Sequence, residues 1–551
     1  MVAGPRFRYD SGVNIHNPIL KGFNPDPSVV RVGDDYYIAT STFEWYPGVQ
    51  IHHSRDLVHW QLLTRPLDRA EQLDMIGNPP SGGIWAPCLT YSDQRFWLVY
   101  TDVKLHRGTF KSTHNYLVTA EAIEGPWSSP IYLNSTGFDP SLFHDDDGRK
   151  WILNMEWEWR PERDHFAGII MQQFDADRGE LVGPILPVFG GTGLRLTEGP
   201  HLYRRGEYYY LLTAEGGTGH GHAVTMARSK EIAGPYQVDP GNPILTSVGN
   251  DTTLRRSGHA DIVETPDGWY MVHLCSRPIA RGLRDQSEGW SILGRETAIQ
   301  RVEWTDDGWL RLTSGGNVPQ VVVQAPKLGK DESSVPGSES APGTGHIDLF
   351  DSDELSIHWQ WPRTPAPEKL FTLSARPGFL RIYGHEPPTS TFTQGLVARR
   401  LQAFRCTATT TVEFVPEDSK QIAGLIGYYA TEKFHYLYIT ASDDGGRLLG
   451  IISRFDGKEH FPLAGREIEL PPEGPLSLRA QFDYERLEFA WAPEGESWQP
   501  VGPVLDSTIL SDEQRPGGGF TGAFVGLCCQ DLSGQNRPAD FSKFEYREEP
   551  E

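Results

Sequence analysis

Short runs in which hydrophobic and polar residues alternate occur along the whole chain. Runs such as YYIAT (36–40), WLVYT (97–101) and YYYLLTA (208–214) are rich in aromatic and β-branched residues, and they lie between turns that contain Gly, Asp and Pro. Alternation with a period of two predicts β-strands, and stretches with the 3.6-residue period of an amphipathic helix are scarce. The pattern predicts an all-β protein.

One pattern recurs five times in the first part of the chain. Each copy has a polar or aromatic lead residue, a small turn element, an apolar strand, a polar hairpin turn and a strand rich in aromatic residues. The lead residues, which are separated by 59, 54, 59 and 61 positions, are Asp26, Trp85, Asp139, Glu198 and His259. A weaker second hairpin follows. Four strands at this period predict a β-propeller blade, so we expect residues 1–313 to form a five-bladed propeller.

The lead residues are expected to meet around one axis, because the innermost strand of every propeller blade lines the central channel. Each has an ordinary explanation when it is taken alone. Asp before Pro is a common turn former, and a lone His or Trp is usually a core residue. Three acids that converge at one end of the channel repel one another, which lowers the stability of the fold. Such a cluster is therefore expected only where it has a function. The five positions together therefore predict a functional site.

A second domain is predicted after a stretch rich in Ser, Gly and Pro. Residues 314–345 have this composition and are expected to form a linker. Over residues 346–551 the alternation returns, as in FRCTATTTVEF (404–414), and it predicts a jelly-roll, concanavalin-like β-sandwich. Two interpretations of this domain stay open: a lectin-like module with its own sugar site, or a lid that closes the mouth of the propeller.

Charge and composition narrow the range of functions. The chain has 50 Lys and Arg against 73 Asp and Glu, a net charge of −23. Such a surface repels phosphate backbones and anionic lipid, so we expect no nucleic-acid partner and no membrane partner. No run approaches the length of a membrane span, residues 1–14 lack the apolar core of a secretory signal, and five cysteines without a CxxC fit reduced thiols. We therefore expect a cytoplasmic protein, and a homo-oligomer stays open.

Converging carboxylates and aromatic residues together favour chemistry on sugars. Hydrolysis of a glycosidic bond needs one protonated carboxyl to donate to the leaving oxygen and one ionised carboxylate to activate water. A third acid can orient the donor and raise its pKa by like-charge repulsion. Aromatic rings stack on the C–H faces of sugars. The candidate walls are Phe43, Trp45, Trp85, Trp157 and Trp159.

Five motifs resemble glycoside hydrolase family 43, most closely its β-xylosidases with a C-terminal β-sandwich. The motifs are NPDPS (24–28), GGIWAPCL (82–89), FDPSLFHDDDG (138–148), LTEGPHL (196–202) and SGHAD (257–261), and the resemblance extends over nearly the whole chain. It implies a five-bladed propeller and inversion of configuration at the cleaved bond. It also implies that Asp26 is the general base, that Glu198 is the general acid, and that Asp139 orients the acid and modulates its pKa.

The resemblance implies binding residues as well. Arg295, in ILGRET, would hold the substrate hydroxyls and the catalytic carboxylates, and Phe43 and Trp85 would form the wall around the terminal sugar. His259 would lie at the axial position of the propeller, where a histidine often meets a bound calcium or a water cluster. No cofactor is required on this interpretation, and calcium is possible.

The resemblance favours the lid interpretation of the second domain. A phenylalanine from the glycine-rich segment 517–526 (GGGFTGAFVG) would then enter the pocket. Our prediction is Phe520, with Phe524 as the alternative.

One segment departs from the family pattern. In residues 154–169 (NMEWEWRPERDHFAGI), Glu156 and Glu158 flank Trp157. We expect this segment to border the leaving-group subsite, so that the departure concerns linkage and leaving-group preference rather than the catalytic carboxylates.

The predicted function is that of an exo-acting inverting β-D-xylosidase, which releases xylose from the non-reducing ends of xylo-oligosaccharides and has side α-L-arabinofuranosidase activity. The alternative is a dedicated α-L-arabinofuranosidase that acts on arabinoxylan oligosaccharides. A catalytically silent sugar-binding protein is less consistent, because all three acids are kept. A retaining fructan-hydrolysing relative would have Asp-Pro-Asn-Gly, Arg-Asp-Pro and Glu-Cys motifs, where this chain has DPS, FDP and EGP.

Overall fold

Five four-stranded antiparallel units form the first part of the molecule. The computed structural model describes residues 13–280, 288–327, 345–514 and 519–550. In these ranges the chain is almost entirely strand and connecting loop, with two short 3-10 helices at Pro367–Lys369 and Ser507–Leu510. None of the helices in these ranges is long and apolar enough to cross a lipid bilayer.

The five units are the blades of a propeller, and their strands are as follows. The chain enters through β1 (Asn14–His16). Blade one contains β2 (Ser28–Val32), β3 (Asp35–Thr40), β5 (Gln50–Ser54) and β6 (Gln61–Thr64), with the short β4 (Trp45–Tyr46) outside the blade. Blade two contains β7 (Gly83–Ser92), β8 (Arg95–Leu105), β9 (Ser112–Ala120) and β10 (Ile131–Asn134). Blade three contains β11 (Ser141–His144), β12 (Lys150–Trp157), β13 (Phe166–Asp175) and β14 (Glu180–Phe189). Blade four contains β15 (Glu198–Arg205), β16 (Tyr208–Glu215), β17 (Ala223–Ser229) and β18 (Gln237–Val238), with β19 (Leu245–Thr246) also paired to β17. Blade five contains β20 (Arg255–Thr265), β21 (Gly268–Ser276), β22 (Glu296–Trp304) and β23 (Leu310–Leu312), and β24 (Val322–Gln324) follows it.

The first strands of the blades surround the axis. Each of β2, β7, β11, β15 and β20 contacts the first strand of the next blade, and β20 contacts β2, so the ring is closed. Strands inside the ring are buried on both faces; β8, for example, has eight consecutive buried residues. The repeat of about 60 residues is therefore one blade, as the sequence predicts.

The two ends of the propeller are held together by the segments that flank it. β1 pairs antiparallel with β24, and Leu20 pairs with Thr297 on β22. The side chain of Asn17 donates from Nδ2 to the carbonyl oxygens of Ile299 and Gln320, each at 2.8 Å. The N-terminal segment is thus a clasp across blade five.

The second part of the chain is a sandwich of two antiparallel sheets. The first sheet has the order β27-β28-β40-β30-β36-β37-β38, with β25 on β40, and the second has the order β29-β39-β31-β32-β33-β34, with β35 on β33. The first sheet consists of β25 (His346–Asp348), β27 (Phe371–Thr372), β28 (Leu380–Ile382), β30 (Arg405–Glu413), β36 (Leu476–Asp483), β37 (Arg486–Pro493), β38 (Gln499–Asp506) and β40 (Ala539–Glu548). The second consists of β29 (Leu396–Arg400), β31 (Gln421–Ala430), β32 (Lys433–Ala441), β33 (Arg447–Phe455), β34 (Lys458–His460), β35 (Ile468–Leu470) and β39 (Phe524–Asp531). β30 alternates strictly between buried and half-buried positions, as expected for a strand with one face on a core. The prediction of an all-β propeller followed by a β-sandwich is confirmed.

The start of the segment expected to be a linker packs on the propeller. β24 lies within it, and Val323 and Ala325 are buried in a propeller core. Most of the rest of that segment, residues 328–344, lies outside the described residues, as do 1–12, 281–287, 515–518 and 551 of the predicted domains.

The two domains share a ladder and a core. The short strand β26 (Trp361–Pro362) of the sandwich domain pairs antiparallel with β4 of the propeller. An apolar cluster beside this ladder combines Phe23 and Phe43 of the first domain with Tyr428 and Phe524 of the second. Because side chains from both domains fill this core, the sandwich is fixed against one end of the propeller.

Candidate active site

All eight of the predicted catalytic and substrate-binding residues line one cavity at the propeller axis. Its volume is about 230 Å³, below the range of about 300–1,000 Å³ that is typical of ligand pockets, so it admits a small group or the end of a longer molecule. The predicted residues in its wall are Asp26, Phe43, Trp85, Asp139, Glu198, His259, Arg295 and Phe520.

An unusual backbone conformation recurs at the lead positions. Asp26 and Asp139 each have φ of 55°, and His259 has φ of 46°, all in the left-handed region. Gly199, directly after Glu198, has φ of 55° as well. Non-glycine residues adopt this conformation at a cost, and Asp and His tolerate it better than most. Strain that is repeated in three blades at one cavity is typical of a functional site.

Asp26 is held by donors on both of its carboxylate oxygens. Ser41 Oγ donates to Oδ2 at 2.7 Å, and Arg295 Nη1 donates to Oδ1 at 2.9 Å. The ring of His259 is farther away, with Nδ1 4.0 Å from Oδ1. Such an acceptor-only set of contacts is what an ionised carboxylate makes.

Asp139 and Glu198 have a different environment. Burial, followed by the negative charges of Asp139 and Asp26, holds the pKa of Glu198 well above its usual range. Burial and the charge of Asp26 likewise raise the pKa of Asp139, and Arg295 opposes the shift at both groups. Asp139 Oδ2 accepts a hydrogen bond from the backbone N–H of Gly199 at 3.1 Å, so it fixes the backbone beside Glu198. The site therefore keeps a carboxyl protonated at neutral pH close to one that is bonded as an anion.

Arg295 joins the carboxylates to the second domain. Besides Asp26, its Nη1 donates to Thr218 Oγ1 at 3.0 Å. Its Nε and Nη2 donate to the carbonyl oxygen of Phe520 at 3.2 and 2.9 Å. The guanidinium also lies over the ring of Phe43, 5.2 Å from its centroid. A single cation thus positions a propeller carboxylate and a loop of the sandwich domain.

Three aromatic rings form one wall of the cavity. The ring centroids of Phe43, Trp85 and Phe520 are separated by 5.9 to 6.2 Å. Trp85 Nε1 donates to the carbonyl oxygen of Ser81 at 2.8 Å, and the backbone N–H of Phe520 donates to Ser81 Oγ at 3.2 Å. The structure places Phe520 in the cavity, in agreement with the lid interpretation of the sandwich domain. Residues 517 and 518 of the predicted loop lie outside the described residues.

Three aromatic candidates, Phe524, Trp45 and Trp159, are corrected. Phe524 is fully buried and stacks on Trp45, with centroids 3.7 Å apart and planes at 11°, so both rings belong to the core between the domains. Trp159 does not line the cavity, whereas Trp157 does. The segment that departs from the family pattern therefore does border the cavity, through Trp157.

Several groups at the site were not identified from the sequence. His106, Lys111, Phe138 and Phe166 also line the cavity. Phe138 begins the motif FDPSLFHDDDG and Phe166 lies in the segment that departs from the family pattern, whereas His106 and Lys111 belong to no motif. Beneath the wall, Arg363 of the sandwich domain is completely buried, with Nη2 3.9 Å from Glu44 Oε1. Nothing in the local sequence marks Arg363, because its partner Glu44 is remote in the chain.

The residues around His259 do not form a calcium cage by themselves. Calcium takes about six to eight oxygen ligands. Burial lowers the pKa of His259 to about 4, and its ring lies against Gly199, leaving a neutral imidazole. Both oxygens of neighbouring Asp261 already accept hydrogen bonds. Across the described ranges no group of three or more His, Cys, Asp or Glu side chains is arranged to hold a metal ion. Calcium beside His259 stays a prediction.

A five-bladed propeller whose axial cavity holds a protonated carboxyl, an arginine-bound carboxylate, a third acid and an aromatic wall defines a glycoside hydrolase. Comparison with known proteins agrees. The model of glycosyl hydrolases family 43 matches residues 15–310, and the model described as the beta xylosidase C-terminal concanavalin A-like domain matches residues 347–547. The chain belongs to glycosyl hydrolase family 43.

Three relatives are similar to this chain over nearly their full length. The chain is 51% identical to xylosidase/arabinosidase 43B of Humicola insolens, with 97% of each chain covered. It is 49% identical to a beta-xylosidase of Bacillus subtilis, over 97% of this chain and 100% of the relative. The crystal structure of xylan beta-1,4-xylosidase from Bacillus halodurans superposes with a TM-score of 0.92 at 51% identity, covering 97% of this chain and 100% of that one.

Proposed function

We propose that this glycoside hydrolase is an exo-acting, inverting β-D-xylosidase that releases xylose from the non-reducing ends of xylo-oligosaccharides. The observation that carries the proposal is the meeting of Asp26, Asp139 and Glu198 in one small cavity closed by Phe520 of the second domain. Two of the similar proteins are named for xylosidase activity alone and a third for xylosidase and arabinosidase activity. A neutral oligosaccharide is also compatible with an acidic surface.

In this mechanism Glu198 is the general acid and Asp26 the general base. Glu198 gives its proton to the glycosidic oxygen as the bond from the anomeric carbon to that oxygen breaks. A water on the opposite face of the sugar attacks the same carbon and gives its proton to Asp26. The product has inverted configuration, and the two carboxyls regain their starting protonation from solvent.

The positions of the two residues suit inversion. Asp26 precedes β2 of blade one and Glu198 begins β15 of blade four, so they belong to blades that are not adjacent. An inverting enzyme needs about 6.5–9.5 Å between its two carboxyl groups to admit the water. The hydrogen bonds of Asp26 to Ser41 and Arg295 orient it as an acceptor, and the raised pKa of Glu198 keeps its proton available at neutral pH.

Asp139 acts on the acid rather than on the sugar. Its charge raises the pKa of Glu198, and its bond to Gly199 fixes the backbone beside the acid. We assign Asp139 as a positioning residue with an electrostatic effect on the proton donor.

The exo mode follows from the shape of the cavity. Phe520 approaches Phe43 and Trp85 from the sandwich domain, and Arg295 binds its backbone oxygen, so one end of the cavity is closed. A cavity of about 230 Å³ that is closed at one end accepts a chain end, whereas the middle of a polymer needs a cleft open at both ends. The released product is then a single sugar.

The runner-up is a dedicated α-L-arabinofuranosidase that acts on arabinoxylan oligosaccharides. The observation that favours it is the name of the Humicola relative, which includes arabinosidase activity. Initial rates on the two aryl glycosides discriminate between the proposals. We expect the xyloside to be the faster substrate with a smaller arabinoside rate, and an arabinoside-to-xyloside ratio well above one would reverse the order.

The stereochemical course gives the direct test of the mechanism. Proton NMR of the first-formed sugar from a β-xyloside should show α-xylose before mutarotation. β-Xylose as the first product would mean retention and would contradict the assignment of Asp26 as a base.

We further propose a cytoplasmic location, which agrees with five free and buried cysteines. The substrates would then be short oligosaccharides imported into the cell. A homo-oligomer stays a prediction. The three carboxyls and Arg295 supply the acid, the base and the charge stabilisation, so no proton-transfer step of this proposal is assigned to a metal ion. Catalysis on this proposal requires no cofactor.

A further inference from the structure

Two exposed aromatic side chains lie close in sequence to residues of the cavity wall. Lys111 and Trp157 line the cavity; Phe110 directly precedes Lys111 and Trp159 follows Trp157 by two positions, and both lie outside the cavity. Phe110 is 63% exposed and Trp159 is 48% exposed. Their ring centroids are 5.4 Å apart with an angle of 32° between the planes. We call Phe110 and Trp159 the outer aromatic pair.

The segments that carry the outer aromatic pair are braced against each other. Trp157 Nε1 donates to the carbonyl oxygen of Thr109 at 2.9 Å, and Lys111 Nζ lies 4.2 Å from the centroid of the Trp157 ring. The loop after Trp157 is closed by the backbone of Glu158, whose N–H donates to the carbonyl oxygen of His165 at 2.9 Å. The pair is therefore exposed but set on a defined framework, as a binding platform requires.

The outer aromatic pair and Trp157 offer different surfaces to a ligand. Lys111 Nζ lies over the Trp157 ring, and the ring of His165 stacks on it with its centroid 5.1 Å away and planes at 14°. Much of the indole surface of Trp157 is therefore already in contact with protein side chains. Phe110 and Trp159 contact each other and keep much of their ring surface in water, which is unfavourable without a ligand.

We propose that the outer aromatic pair is an additional leaving-group subsite that stacks on the third xylose ring of a xylo-oligosaccharide, counted from the end that is cleaved. The proposal rests on the proposed xylosidase function. The first ring fills the cavity, the second passes Trp157 and Lys111, and the third reaches Phe110 and Trp159. The subsite makes the enzyme selective for chains of three or more sugars over the disaccharide.

The test compares substrates of increasing length. We measure kcat/KM on xylobiose, xylotriose and xylotetraose for the wild type, for Trp159→Ala and for the double variant Phe110→Ala/Trp159→Ala. The wild type should prefer xylotriose to xylobiose and gain little more with xylotetraose. In the double variant the xylotriose-to-xylobiose ratio should fall about threefold to tenfold, the equivalent of one ring-stacking contact, mainly through KM.

Phe461→Ala is the matched control, because Phe461 is 52% exposed on the sandwich domain. It should leave the ratio unchanged, and melting temperatures of all variants check that they are folded. An unchanged ratio in the folded double variant would overturn the proposal. If the wild type self-associates and the double variant does not, while the ratio stays intact, the proposal is overturned as well, because the pair would then be covered by a second copy of the chain. A wild type that cleaves neither xylobiose nor an aryl xyloside would overturn the subsite and the proposed function together.

Discussion

The buried Arg363 offers a demanding test of how the second domain supports the cavity. Its Nε donates to the carbonyl oxygen of Asn78 at 2.7 Å and its Nη1 to Gln394 Oε1 at 3.0 Å, and its Nη2 lies 3.9 Å from Glu44 Oε1. The Glu44 carboxyl is equally buried and accepts a hydrogen bond from the Ser81 N–H at 3.0 Å. Arg363→Met keeps much of the side-chain volume and removes the cation.

Removing one partner of a buried ion pair costs about 3–5 kcal/mol, because the other charge is left in a site without water. We therefore expect Arg363→Met to lower the free energy of unfolding by about 3–5 kcal/mol at neutral pH. Burial raises the pKa of Glu44, and Arg363 opposes that shift, so the variant raises this pKa further. A group with a raised pKa in the folded state loses its contribution to stability as pH rises through that pKa. The loss of unfolding free energy in Arg363→Met should therefore be smallest at acidic pH and should grow towards neutral pH.

The assay is denaturant and thermal unfolding at acidic and neutral pH, with a double-mutant cycle. Glu44→Gln added to Arg363→Met removes the orphaned charge and should recover part of the loss. Arg486→Met is the control, because Arg486 pairs with Glu488 at the surface and should leave stability unchanged. The reasoning would be refuted if Arg363→Met lost no more free energy of unfolding than Arg486→Met, or if its loss did not vary with pH.

The same variant should disturb the cavity as well as the stability. Ser81 connects the buried pair to the aromatic wall. Its backbone N–H donates to the Glu44 carboxylate, its carbonyl oxygen accepts from Trp85 Nε1, and its hydroxyl oxygen accepts from the backbone N–H of Phe520. A shift of Ser81 moves both rings. We expect an increase in KM for xylobiose in Arg363→Met and none in Arg486→Met.

Three further predictions concern the cavity itself. Glu198→Gln should reduce kcat on xylobiose by about 10²–10⁴-fold. The reduction should be smaller on an aryl xyloside with an acidic phenol, because that leaving group needs less proton donation. Equal losses on the two substrates would contradict the acid role. Asp139→Asn removes a charge that raises the pKa of Glu198, so the alkaline limb of the kcat/KM profile should move to lower pH, and a limb that does not move would argue against this role. Phe520→Ala removes a wall ring and keeps the backbone oxygen that binds Arg295, so we expect KM for xylobiose to rise about tenfold in steady-state kinetics, and an unchanged KM would remove Phe520 from the binding site.

The fold and the carboxylates were predictable because they repeat. The lead residue of each copy occupies an equivalent place in its blade, so a comparison of the sequence with itself was enough to bring Asp26, Asp139 and Glu198 together. Arg295 and Phe520 do not belong to the repeat, and their predicted places depended on the family resemblance.

Other parts of the site could not be predicted from local patterns. Trp45 and Trp85 both lie in strands, β4 and β7, yet Trp45 stacks on Phe524 in the core and Trp85 lines the cavity. The difference arises from the docking of the sandwich domain, which covers Trp45. Arg363 and Glu44 meet only through the same docking, and no periodicity in either segment encodes a contact between positions so far apart in sequence.

The shared ladder between β4 and β26 has a consequence for how this chain can be divided. Phe23 and Phe43 of the propeller rely on Tyr428 and Phe524 for cover, and Arg400 reaches across to the carbonyl oxygen of Phe23 at 2.7 Å. A propeller without the sandwich domain would expose these rings to solvent and would lose the part of the cavity wall that Phe520 provides. The two domains together therefore form the catalytic unit. Replacing either one with a homologous domain would require complementary side chains across the whole interface, and a connecting linker alone would not be enough.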